Sequence, residues 1–220
     1  MDLTGDPQGQ PQKIGVAFAD IMTGLYATIA IQAALAERER SGQGQHIDMA
    51  LLDVMTGVLA NQAMNYLVSG NTPTRMGNAH PNVVPYAVFP AADGWLIIAV
   101  GNDGQFARLC AGIGIEAQPQ WSTNAGRLAD RVALTEALEA ATRLWKRDDL
   151  LAVLEARGVP AGPINSVDQA FADPQVRHRG LALEMARADG QVIPGVRLPI
   201  RFSRSPLAEA KPSPVLGEME

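Results

Sequence analysis

From Ile14 to Ala36 nearly every position is apolar or small, and Asp20 is the only charged residue between Lys13 and Glu37. Length and spacing predict a largely buried helix over residues 20–40, whose first turn lies close to Asp20 and which stops at Ser41-Gly42-Gln43-Gly44. The alternation in His46-Ile47-Asp48-Met49 predicts a short strand. A second helix follows over 51–68 and ends at Ser69-Gly70-Asn71. Residues 72–85 hold three prolines and Gly77, and read as a linker.

Beyond the linker the period changes. Strands are predicted over 86–90 and 95–100, joined by the turn Ala91-Ala92-Asp93-Gly94. Helices follow over 105–112, 128–145 and 148–157, and Gly158-Val159-Pro160 stops the last of them. After Pro160 the pattern gives extended chain, a short helix over 168–171 ended by Pro174, and a hairpin of 181–186 and 191–198 around Asp189-Gly190. The tail from Ser205 is rich in proline and reads as loop.

Composition narrows the function classes. With 220 residues, 47% hydrophobic and 19% charged, the chain has the make-up of an ordinary globular protein. A net charge of −5 and no basic run argue against a nucleic-acid partner. The single cysteine, Cys110, follows Phe106 and Leu109 on an amphipathic pattern, so it reads as a buried structural thiol in a reducing cytoplasm. No Cys/His cluster has zinc spacing, so no metal is expected. The first residues carry no basic region followed by an apolar run, so no signal peptide is predicted. The stretch from Ile14 to Ala36 is long enough to raise a membrane span, but Asp20, Thr23, Thr28, Gln32 and two glycines favour a buried helix, and no membrane partner is expected.

Asp20 then has two readings. Asp is a good helix N-cap, and a cap alone explains an acid at this place. In the other reading, burial opposes its charge while the helix start favours the anion, leaving an ionised, poorly hydrated carboxylate suited to nucleophilic attack. The chain holds no phosphate-binding glycine loop: Gly101-Asn102-Asp103-Gly104 lacks the spacing and the Lys-Ser/Thr pair. It also has no G-x-S-x-G elbow, so Asp20 is the surviving nucleophile candidate.

Four segments in order resemble one family. Asp20-Ile21-Met22-Thr23-Gly24-Leu25-Tyr26, continuing through Glu37, Gly42, Gly44 and Asp48, looks like the catalytic-aspartate segment of class III CoA-transferases. Gly77-Asn78-Ala79-His80-Pro81-Asn82, Asp93-Gly94 and Gly158-Val159-Pro160-Ala161-Gly162-Pro163-Ile164-Asn165 recur in the same order in that group, CaiB/BaiF, which includes formyl-CoA and carnitinyl-CoA transferases. The resemblance covers nearly the whole chain. It implies an α/β fold: the C-terminal portion of a Rossmann-like large domain with an inserted α+β small domain. Residues 1–70 would be a large-domain segment with the nucleophile helix, 71–159 the linker and small domain, and 160–220 the return to the large domain.

The resemblance also implies a reaction. Asp20 would exchange CoA between carboxylic acids through an aspartyl-CoA thioester, with no cofactor beyond CoA as a substrate. The loop of Gly77, Asn78 and His80 would lie over the active site: Gly77 would let backbone N–H groups approach developing charge, and His80 would orient a substrate carboxylate. Read without the resemblance, the same loop is a plain Pro/Gly linker and His80 a structural or solvated side chain. Asn102 and Gln105 are weaker candidates, and His46 and Asp48 are given no role. Partners would be an acyl-CoA and a carboxylic acid, and the full-length form a homodimer or a pair with a separate N-terminal half. The part carrying most contacts to the CoA nucleotide is expected to lie outside this chain. Two rival readings stand: a 2-methylacyl-CoA racemase of the same fold, and a non-catalytic truncated subunit. Oxalate, succinate, carnitine-type and aromatic acids are all open as substrates.

Overall fold

A computed structural model describes residues 1–187, 189–208 and 210–215, so Ala188, Glu209 and the end of the predicted tail lie outside the described residues. The chain mixes helices with small antiparallel sheets and divides into two compact units, Met1–Ala161 and Gly162–Glu220.

In the first unit, helix α1 spans Phe18–Ser41 and ends as its glycine predicts: Gly42 takes φ 73° and its N–H donates to the Arg38 carbonyl at 2.9 Å. Its predicted burial is corrected, because none of its residues is buried. Apolar residues run round most of this helix, while the element packed on it is the short α2 (Leu51–Gly57), which cannot cover every side. By length and composition alone α1 could cross a membrane, with mean hydropathy 1.4 over its best window.

Two further predictions are corrected. Residues 43–50 form no strand, since nothing pairs with His46-Ile47-Asp48-Met49 among the described residues. The single helix predicted over 51–68 is two, α2 and α3 (Ala60–Ser69). Ala60 adopts φ 49°, a left-handed conformation that a residue with a Cβ rarely takes, so the helical bonding cannot run through it.

The core lies between Val84 and Val159. Strands β1 (Tyr86–Ala91) and β2 (Gly94–Ala99) form the predicted hairpin, pairing Phe89 with Leu96 and Ala87 with Ile98. Alternation buries Leu96, Ile98 and then Val100. Helix α4 (Asp103–Ile113) buries Phe106, Leu109, Cys110 and Ile113 at helical spacing. Cys110 is thus the structural thiol the pattern predicts. Helices α5 (Asn124–Ala129) and α6 (Arg131–Thr142) replace the single helix predicted over 128–145. Asp130 breaks it, leaving helical geometry while its carboxylate accepts from Trp121 Nε1 at 2.8 Å. Leu134 and Leu138 of α6, with Leu150 and Leu154 of α7 (Arg147–Ala156), complete the core. The boundary between the units falls in β3 (Ala161–Pro163).

The second unit opens with α8 (Val167–Ala172) and α9 (Pro174–His178). Pro174 ends the first, as predicted, and starts the second, whose Asp173 cap accepts from Gln175 and Val176 N–H groups at 2.8 and 3.1 Å. The predicted hairpin follows as β4 (Ala182–Ala186) and β5 (Val192–Val196).

Candidate active site

Asp20 sits in the first turn of α1, but not as its cap. Ala17 holds the N-cap position without a side-chain bond, so the capping reading of Asp20 fails on position: the helix starts two residues earlier than predicted. The carboxylate is exposed rather than buried, and it takes no hydrogen bond or ion pair among the described residues. What remains of the predicted environment is the helix start, whose exposed N–H groups and dipole favour an anion.

Asp20 faces a cavity of about 1060 Å³ within the first unit. The first residues of the chain and the segment of residues 12–17 form one wall, and α2 and α3 form the other with Leu59, Gln62, Ala63 and Tyr66. The first wall is held by a residue the sequence did not single out. Arg75 donates to the carbonyls of Asp2, Asp6 and Gly9 at 3.0, 3.3 and 3.1 Å, and to the Asp2 carboxylate at 3.2 Å. One guanidinium thus folds the glycine- and proline-rich first loop into a wall. Its partners lie 66 to 73 residues away, so no local signal marks it.

The loop of Gly77, Asn78 and His80 is not part of the cavity lining around Asp20. Gly77 takes φ 58° and lies beside Pro7, whose Cδ would stand 3.5 Å from an added Cβ, so the loop touches the outside of the same wall. His80 is engaged within its own loop: its Nδ1 accepts from the Asn82 N–H at 3.1 Å and its ring stacks on Tyr86. Arg131 donates to the carbonyls of His80 and Pro81 at 2.9 and 3.0 Å, and burial lowers its guanidinium from the ordinary value without discharging it. Asn82 pairs its side-chain amide with that of Asn65, both ways, at 3.2 Å. Asn65 belongs to α3, so one helix lines the Asp20 cavity and also anchors the loop.

The weaker candidates serve the fold. Asn102 accepts from the Gln105 N–H at 2.9 Å as the cap of α4, and Gln105 Oε1 accepts from the Gly101 N–H at 2.6 Å. Among the described residues no group of three His, Cys, Asp or Glu could hold a metal ion. The arrangement offers an accessible carboxylate at a helix start, unpaired, beside a roomy and mainly apolar cavity.

Comparison with known proteins gives this arrangement a family. The model of CoA-transferase family III matches residues 1–220. The chain belongs to CoA-transferase family III. Among curated family members it is 57% identical over 221 residues to a succinate–glutarate CoA-transferase of Agrobacterium fabrum, covering 99% of this chain and 55% of that protein. It is 37% identical to the human succinyl-CoA:glutarate CoA-transferase, covering 99% of this chain and 50% of that one. The chain therefore spans about half the length of the curated relatives it matches. Its mixed helix-and-sheet fold is that of the family: a crystal structure of a CaiB/BaiF family protein from Brucella suis matches with TM-score 0.80 at 58% identity, covering 99% of this chain and 57% of that one.

Proposed function

We propose that the protein transfers CoA between dicarboxylic acids, with Asp20 as the nucleophile. The observation that carries this reading is the placement of Asp20, unpaired at the start of α1 and facing the cavity. The names of the relatives described above, a succinate–glutarate and a succinyl-CoA:glutarate CoA-transferase, support the dicarboxylic substrate class for this chain.

In this reading the Asp20 carboxylate attacks the thioester carbonyl of a donor acyl-CoA and expels CoA thiolate, leaving an acyl-aspartyl anhydride. The thiolate attacks the Asp20 carbonyl and releases the donor acid, which leaves CoA on Asp20 as a thioester. An acceptor carboxylate attacks that thioester, forms the second anhydride and expels thiolate again. The thiolate then takes the new acyl group and frees Asp20. Each step exchanges one acyl bond for another, so the thioester energy passes from donor to acceptor without a metal or organic cofactor. The first turn of α1 stabilises the free carboxylate between turnovers. The Gly77 loop would lend backbone N–H groups to the anionic intermediates when substrate brings it over the cavity.

Residues 1–70 carry the nucleophile and Asn65, one anchor of the loop, and 71–159 carry the loop and Arg131, with further CoA contacts assigned to sequence beyond these 220 residues or to a second copy. We read the protein as a cytoplasmic enzyme in which α1 is not a membrane span, because Asp20, Thr23, Thr28 and Gln32 interrupt it.

The test uses the whole polypeptide that the gene encodes, given succinyl-CoA and glutarate. Glutaryl-CoA should form, and Asp20→Ala should abolish it. With succinyl-CoA alone, mass spectrometry should find CoA attached to the peptide containing Asp20. Transfer that survives Asp20→Ala, or CoA on another residue, would refute the assignment.

A further inference from the structure

Three charged side chains line the Asp20 cavity: Asp2, Lys13 and Asp20 itself. Asp2 is already matched by Arg75, whose N–H groups are turned to the Asp2 carboxylate and to three backbone carbonyls. Lys13, in contrast, has no hydrogen-bond or ion-pair partner among the described residues. It stands on the irregular segment that leads into α1, seven positions before Asp20, and among the described residues it is the one lysine or arginine side chain on a lining that is otherwise mainly apolar or neutral.

We propose that Lys13 is a specificity-determining residue, binding the second, non-reacting carboxylate of a dicarboxylic substrate. The inference rests on the CoA-transfer reading and assigns a residue to its substrate class. In a dicarboxylic acid one carboxyl group passes through anhydride and thioester while the other stays ionised at every step. Bringing that anion against apolar walls strips its water, and Asp20 repels it when free. A counter-charge on the wall offsets both effects. An ammonium suits this role because it is a compact charge on a flexible stem, able to follow the remote carboxylate of acids that differ by one methylene. A monocarboxylate of equal length gains nothing from it. Lys13 and Asp20 both line the cavity and stand seven positions apart in the sequence.

The experiment compares the whole polypeptide with its Lys13→Gln and Lys13→Arg variants, each checked for unchanged circular dichroism. Glutarate and the monocarboxylate pentanoate are the CoA acceptors, and succinyl-CoA and butyryl-CoA the donors. Loss of a charge-assisted bond should raise the KM for glutarate by about 10- to 100-fold in Lys13→Gln. The turnover number and the KM for pentanoate should hold, and Lys13→Arg should keep the preference for glutarate. An unchanged glutarate-to-pentanoate ratio overturns the proposal. So does an equal rise in KM for both donors, which would place Lys13 on a phosphate of CoA. If the wild type transfers no CoA, calorimetric titration with glutarate separates the two readings. Binding weakened by Lys13→Gln and kept by Lys13→Arg upholds the site without the reaction, whereas no binding, or binding indifferent to Lys13, overturns it.

Discussion

The rings of His80 and Tyr86 stack 5.1 Å apart at 16°, while the His80 N–H donates to the Tyr86 carbonyl at 2.8 Å. The histidine is therefore held by the first residue of β1 through both ring and backbone. Its remaining freedom is small, and its Nδ1 is spent on Asn82. His80→Ala should cost about 1–2 kcal/mol for the lost stacking and acceptor. His80→Phe, which keeps a ring without the acceptor, should recover roughly half of that and most of the transfer activity. Urea unfolding and steady-state kinetics read the two effects; equal loss of activity in both variants would instead mark His80 as a substrate contact.

Gly77 is fixed by its backbone rather than by crowding. An added Cβ fits beside Pro7, but φ 58° penalises any L side chain by about 1–2 kcal/mol. Gly77→Ala should lower kcat/KM by up to about tenfold if the loop's shape serves the reaction. Gly77→Asn should lose less, since Asn tolerates this conformation. Wild-type kinetics in both would detach the loop from catalysis.

Arg127 is the buried polar centre of the core. It donates to the Val84 carbonyl at 2.6 Å, the Trp121 carbonyl at 2.9 Å and the Asp103 carboxylate at 2.8 Å, with its guanidinium 4.6 Å from the Phe106 ring centre. Arg127→Met leaves two carbonyls without this donor and should cost about 2–6 kcal/mol, at about 1–3 kcal/mol for each unmet group. Arg127→Lys should rescue little, because an ammonium cannot reproduce the planar fork. A shift in the urea midpoint below that of a typical surface substitution would contradict the role.

Cys110 should be inert in the folded protein. Burial pushes its thiol above the ordinary value of 9.0, although Arg127 nearby pulls the other way. The folded state thus holds its proton more tightly, and the stability this gives is present below pH 9.0 and fades as pH rises through the folded value. Alkylation by iodoacetamide at pH 8 should be slow and should accelerate with urea in step with unfolding. Rapid labelling of the native protein would show an accessible thiolate.

Much of the chain was legible because its signals are short-range. Glycines at 42, 70 and 158 stop helices by adopting positive φ, a property of the residue itself. The alternation through β1 and β2 and the helical spacing of Phe106, Leu109 and Cys110 announced both the elements and their buried faces. The family motifs were legible for the same reason, since each lies within a few consecutive residues.

The failures share a cause. The strand expected at 46–49 lacked a partner, and periodicity says nothing about partners. The burial expected of α1 depended on what covers it, and a run of apolar residues states a preference without supplying a neighbour.

By itself, then, the sequence determined the helix stops, the two hairpins, the buried thiol and the singular charge at Asp20. Tertiary structure alone decided that Arg75 closes a wall over a span of about 70 residues, that Arg131 reaches back 51 to hold His80, and that Lys13 and Asp20 share one cavity. The physical reason is range: backbone preferences act within a turn of chain, whereas hydrogen bonds, ion pairs and cavity walls depend on which distant segments folding brings together.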